Sequence, residues 1–407
     1  LRFLISLALQ ADLTEYIYPQ TEEEEALVAK LEKKISSILN SKQQPTDQDV
    51  LILACYTALN KVESIKLLVP TRLTKEVLKR QISHTEEEIA LRAIIPSLGA
   101  VNDETSNLVK QQYEENPFPR WLQDGSSVSI TSFLELYLEG TGLKIDQLET
   151  VPKNPKELLI AGCGTGRQAI NRAKILNECS ILAVDISLNS LCYALRKTQE
   201  YKIKNIEYLQ ADILDLHHIN KRFDVIECGG VLHHMSDPKK GLASLTRLLK
   251  PNGYMLLGLY SKHARGQKGY NIVDIIDLAK TLGVTEDLRS IRAFRQKLIR
   301  LNEDNKDAWG IGNFQDFYST SEFRDLFLHR HEIRMGIPEI KELLDLSGLK
   351  FRGFTSLKKE VLVRFRNENS GEDDLLNLEK WNEFELRNPK TFIGMYQFWC
   401  QKGANGK

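Results

Sequence analysis

Between Glu157 and Gly166 the sequence reads ELLIAGCGTG, and this stretch restricts the fold more than any other. Leu158 to Ala161 is an apolar run of strand length, three glycines follow at alternate positions, and a helical pattern begins at Arg167. A strand that turns straight into a helix leaves backbone N–H groups aimed into the turn, where side chains would obstruct whatever those groups bind. Glycine removes the obstruction and admits left-handed backbone. The stretch predicts a buried strand, a ligand-facing turn and a covering helix in immediate succession.

The same rhythm continues. Residues 181–185, 206–210, 223–228 and 254–260 read as further short apolar strands, separated by helical patterns at 168–176, 188–201 and 238–249. Short apolar strands alternating with helices predict an α/β fold with a parallel sheet covered on both faces, and ligands of such sheets bind outside the carboxyl ends of the strands. Around this core the sequence divides into a helical N-terminal domain (1–110), the core with a preceding segment (111–260), a helical insertion (261–331) and a C-terminal completion of the sheet (332–407). In the first of these, Thr21 with Glu24 predicts a capping box, Thr46 or Asp47 a second helix start and Thr85 with Glu88 a third. In Tyr113-Glu-Glu-Asn-Pro-Phe-Pro-Arg-Trp121, Pro117 and Pro119 hold aromatic and charged side chains on a stiff irregular segment, suited to a lid or a packed linker. The insertion carries Arg289, Arg292, Arg295, Lys297 and Arg300, a run read as a solvated face. The C-terminal part predicts helices at 338–346 and 375–386, strands at 349–354 and 392–400, and a surface loop at 367–374.

Composition excludes several classes. Lys plus Arg and Asp plus Glu both total 55, so the net charge gives no pull toward nucleic acid or an acidic membrane. The six cysteines show no C-x-x-C spacing, which suits a reduced cytoplasmic protein, and no apolar run is long enough to span a bilayer. The opening LRFLISLALQ lacks a small-residue cleavage site and reads as an amphipathic helix, so the expectation is a sequence that begins inside a helix of something longer.

The glycine spacing selects the ligand. A dinucleotide turn carries G-x-G-x-x-G, whereas Gly162, Gly164 and Gly166 give G-x-G-x-G followed by Arg167, which disfavours a nicotinamide oxidoreductase. Asp185 ends the second strand 19 positions after Gly166 (185 − 166), where a carboxylate can accept from both hydroxyls of a ribose. Asp212, after the third strand, is placed to accept from an adenine amino group, with Ile186 and Ile213 available to sandwich the ring.

With these residues in order, AGCGTG, AVDIS, LQADI, ECGGVLHHM and LLKPNG make residues 156–260 resemble a class I S-adenosylmethionine-dependent methyltransferase. YEENPFPRW before the core and GMYQFWCQK at its end give the arrangement a likeness to bacterial methyltransferases fused to tetratricopeptide repeats, although no such repeat is visible. The resemblance implies a Rossmann-like seven-stranded methyltransferase sheet whose last strand, 392–400, runs antiparallel between the fifth strand and 349–354. It implies S-adenosyl-L-methionine as cofactor, held by Gly162, Cys163, Gly164, Gly166, Asp185, Ile186, Asp212 and Ile213. One position departs from the family, which commonly carries an acid two residues before its first glycine to help hold the methionine amino group. Here that residue is Ile160, and Glu227 at the end of the fourth strand is the expected substitute by position.

Methyl transfer from a sulfonium needs alignment and, for some acceptors, a base. His233 and His234 follow the fourth strand where an acceptor would approach, and are the candidate bases; the alternative is that one packs under the next helix and the other bonds backbone. Arg120 is the candidate for the methionine carboxylate, and Tyr113, Trp121 and Tyr260 for lining the acceptor side. His217–His218 and His329-x-His331 lack a carboxylate or cysteine cluster at ligand spacing, so no metal is expected. The N-P-P-Y sequence of many amide and amino-group methyltransferases is replaced by Glu227-Cys-Gly-Gly230. A protein side chain is the expected acceptor, because the added helical surface exceeds what a metabolite needs. A small-molecule O- or N-acceptor and a non-catalytic binding module are the alternatives.

Overall fold

The computed structural model describes residues 1–124, 132–144, 151–152, 154–266, 272–304, 311 and 314–404. Two compact units emerge, and neither is continuous in sequence: one comprises residues 1–92, 119–121 and 274–329, the other 93–118, 122–273 and 330–407. Among the described residues no helix is long and apolar enough to cross a membrane.

The first unit is helical. Thr21 and Glu24 form the predicted capping box at the start of the helix Glu22–Asn40, and Thr46 accepts from Asp49 N–H at the start of Asp47–Tyr56. These two helices pack with Arg2–Leu13 around Ala8, Ile35, Leu39, Val50, Leu53 and Ala54, all buried. The start expected at Thr85 is absent. The chain is already helical from Lys75, widens into a π turn at Lys79–Ser83 and continues as His84–Leu91. Inside that turn the buried Gln81 amide accepts from Leu59 N–H (3.1 Å) and donates to the carbonyls of Ala54 (3.2 Å) and Ala8 (3.4 Å). It satisfies backbone groups from three other elements. The basic run is solvated only in part: Arg289, Lys297 and Arg300 are exposed, Arg289 pairing with Glu25, whereas Arg292 Nε donates to the Tyr16 carbonyl (2.9 Å) and the buried Arg295 Nε donates to the Phe317 carbonyl (2.9 Å) while its guanidinium lies over the Phe317 ring.

The second unit is built on a seven-stranded sheet: β1 (Glu157–Ala161), β2 (Ser180–Asp185), β3 (Ile206–Gln210), β4 (Phe223–Gly229), β5 (Leu249–Leu259), β6 (Leu349–Phe354) and β7 (Tyr396–Lys402). Their order is β3-β2-β1-β4-β5-β7-β6, with β7 antiparallel to both neighbours, as the resemblance implies. Leu158, Leu159, Ile160 and Ala161 are all buried, which explains why the run is apolar without alternation. The direction of winding reverses between β1 and β4, so a crevice opens at their carboxyl ends. On the outer edge, residues 96–98 bond to Gln210 of β3. The helix Lys359–Glu368, which the sequence did not announce, buries Phe365 against Trp381 with ring centroids 3.6 Å apart.

A polar knot closes the β5–β7 side of the sheet. Tyr396 Oη donates to the Glu385 carboxylate (2.7 Å to each oxygen) and Ser261 Oγ donates to Glu385 Oε1 (2.9 Å). Burial raises the Glu385 carboxyl to about 7, against which the two hydroxyls act. A carboxyl whose folded value is raised loses stabilisation as pH climbs through that value, so donors matter most above it. Tyr396→Phe is expected to lower stability by about 2 kcal/mol at pH 8 and by less at pH 5.5, read from urea midpoints.

Candidate active site

The glycine turn has the backbone its composition demands. Gly162, Gly164 and Gly166 have φ of +76°, +51° and +80°, values that side chains resist. The N–H groups of Gly162 and Cys163 both donate to the Val184 carbonyl (2.8 and 2.9 Å), fastening the end of β1 to β2. The helix Arg167–Ile175 starts at Gly166 without a side-chain cap, so its N-cap residue leaves the first-turn N–H groups unbonded by its own side chain.

Asp185 joins this turn to the next. Its Oδ2 accepts from Gly164 N–H (2.8 Å) and its Oδ1 from Ser187 N–H (2.9 Å). A carboxylate offers about four acceptor positions, so each oxygen keeps capacity for a hydroxyl donor. Burial raises the carboxyl from 3.8 to about 6, the Ser187 and Gly164 N–H groups oppose this, and the charge of Glu114 adds to it. Asp212 is likewise buried and raised chiefly by desolvation; it accepts from Leu214 N–H (2.9 Å) and from the Ser106 hydroxyl. Ile186 is half-buried at the end of β2, Ile213 is buried directly after Asp212, and burial pushes the Cys163 thiol well up, which keeps it protonated.

The segment before the core lies along these strand ends. Tyr113 accepts through its carbonyl from Ser187 Oγ (3.1 Å), Glu114 accepts from Leu188 N–H (2.6 Å), and the Phe118 carbonyl accepts from Thr165 N–H (3.3 Å). Glu114 thus caps the helix Leu188–Glu200 from outside, a role the sequence reading missed. Arg120 and Trp121 are built into the helical unit, where Arg120 lies 3.8 Å from Glu15.

Glu227 sits in register with Ile160, one strand away, so their side chains share a sheet face. Its carboxylate is fully buried and accepts from Arg172 Nε (2.6 Å) and from Gln168 Nε2, both on the helix after the glycine turn. With no surface exposed, the Glu227 carboxylate is engaged by that helix through both oxygens.

The expected bases are also interior. His233 is wholly buried with its ring stacked on Tyr260 (3.9 Å), and the Arg265 guanidinium lies over the Tyr260 ring, 3.4 Å from its centroid. The His233 carbonyl accepts from Ile333 N–H (2.8 Å), while His234 Nδ1 bonds the His331 carbonyl (2.8 Å). His233 thus packs and His234 bonds backbone. Tyr260 is held in the same stack. At the end of β4, Gly229 is exposed with open space where a Cβ would stand.

Residues 154–287 match the family model described as a methyltransferase domain. An uncharacterized Synechococcus protein is 27% identical over 305 residues, covering 70% of this chain and 69% of the relative. A malonyl-[acyl-carrier protein] O-methyltransferase of Halalkalibacterium halodurans is 29% identical over 141 residues, 34% of this chain and 50% of that enzyme. The structure of PKMT2 from Rickettsia typhi in complex with AdoHcy superimposes with a TM-score of 0.51 at 18% identity, over 71% of this chain and 55% of that one. The chain thus spans about half the length of the latter two and about two thirds of the first.

Proposed function

We propose that this chain, a class I S-adenosylmethionine-dependent methyltransferase, methylates a protein side chain. The observation that carries the cofactor reading is the Asp185 carboxylate, which bonds Gly164 of the glycine turn at 2.8 Å and retains acceptor capacity beside it. The cofactor supplies a methyl group already activated on sulfur; the chain's residues bind, orient and exclude water. Asp185 would hold the ribose, Asp212 the adenine amino group, Ile186 and Ile213 the ring faces, and the glycine turn the backbone approach. Because His233 and His234 are buried in packing and backbone bonds, the acceptor is one that reaches the site in its nucleophilic form. Gly229 leaves space at the end of β4, which suits an acceptor carried on a bulky body.

A small-molecule acceptor is the second reading, favoured by the malonyl-[acyl-carrier protein] O-methyltransferase among the relatives. Transfer of labelled methyl to fractionated lysate, with the product identified by mass spectrometry, decides between them: label in protein supports the first, label in metabolites the second. Tight cofactor binding without any transfer would identify a binding module. Absence of binding of S-adenosylmethionine and of its demethylated product would sink the reading altogether.

A further inference from the structure

The family's acid before the glycine turn is Ile160 here, and Glu227 stands beside it in register but is closed to solvent. What Glu227 does touch is informative. A carboxylate only accepts, so the Gln168 side chain must present its amide nitrogen to Glu227, and its carbonyl oxygen is then turned the other way. Gln168 is half-buried in the first turn of the helix that opens at Gly166, two residues past the glycines. Arg172, one helical turn further along, pairs with the other Glu227 oxygen and balances its charge. The Glu227 carboxylate therefore commits the nitrogen of Gln168 and leaves its oxygen, in the first turn of the helix, as the acceptor.

We propose that Gln168 holds the methionine amino group of the cofactor in place of an acid on β1, and that Glu227 acts as its positioning residue. An ammonium donates up to three hydrogen bonds, and a fixed amide oxygen is a competent acceptor for one of them. The buried charge one layer behind strengthens that oxygen by polarising the amide. A hydrophobic residue at 160 then serves the strand core, and recognition has moved from the end of β1 to the first turn of the following helix. This inference rests on the cofactor reading above, and its test separates the two.

The probes are S-adenosylmethionine and 5′-methylthioadenosine, which keeps the adenosine and lacks the amino acid end. For Gln168→Leu, calorimetry is expected to show about tenfold or greater loss of affinity for S-adenosylmethionine with methylthioadenosine unchanged. Unchanged methylthioadenosine binding also shows that the variant is folded. Glu227→Gln should leave methylthioadenosine binding intact and weaken S-adenosylmethionine by a smaller factor, because the amide at 168 can then flip. Equal loss for both probes, or no loss for either, overturns the assignment of Gln168. If neither probe binds the unaltered protein, it is the cofactor reading that falls.

Discussion

Gly166→Ala should cost about 2–5 kcal/mol of stability and abolish cofactor binding. At φ +80° a side chain meets the left-handed penalty of roughly 1–2 kcal/mol. A Cβ there would also lie 2.6 Å from Ala194 Cβ and 3.1 Å from Ala194 Cα, on the helix Leu188–Glu200. Neither atom is the end of a flexible chain, so the helix itself would have to move, an overpacking cost of about 1–3 kcal/mol. Moving it displaces Ser187 and so disturbs the clamp on Asp185. Gly229→Ala is the control: its Cβ would meet no atom within 4 Å, and its backbone is not left-handed, so a change within about 0.5 kcal/mol is expected. Urea denaturation and calorimetry with the demethylated cofactor measure both, and a Gly166→Ala protein that melts and binds like the parent would show the turn is built otherwise.

How far the sequence disclosed this site depended on how local each signal was. The run Leu158–Ala161 and the three glycines act within their own segment, and the acids Asp185 and Asp212 stand at the ends of the strands the pattern marks out. The antiparallel last strand was legible only through the class I methyltransferase resemblance of residues 156–260. Long-range partners were not legible. Arg292 and Arg295 look like a charged face because nothing nearby announces that the Tyr16 and Phe317 carbonyls will receive them. His233 and His234 carry the same letters whether they face an acceptor or pack on Tyr260, and the segment that settles it, His331 to Ile333, is about a hundred residues downstream. Glu114 and Gln168 were missed for a related reason: their roles come from the Leu188 N–H and Glu227, brought close only by the folded sheet.

Asp185→Ala should weaken the demethylated cofactor by about a hundredfold or more, since two hydroxyl bonds to a charged acceptor are lost and each is worth about 1.5–3 kcal/mol. The pH dependence is the sharper signature. Burial lifts this carboxyl from 3.8 to about 6, so the folded protein holds the proton more tightly than the unfolded chain does. Its contribution to stability is therefore fully present below the unfolded value and is lost as pH rises through the folded one. Cofactor affinity runs the other way, because ribose hydroxyls donate to the ionised form. A single group of this kind predicts binding about tenfold weaker at pH 5 than at pH 8, with the slope centred near 6. Asp185→Asn should bind weakly at both values and flatten that slope, since an amide cannot titrate and its N–H₂ end would face either Gly164 or Ser187 N–H. An unaltered slope in the Asn variant would mean that another group titrates with the cofactor. The folded chain and its ligand thus place opposite demands on one carboxylate: burial at the strand end favours the proton, and the ribose favours its loss.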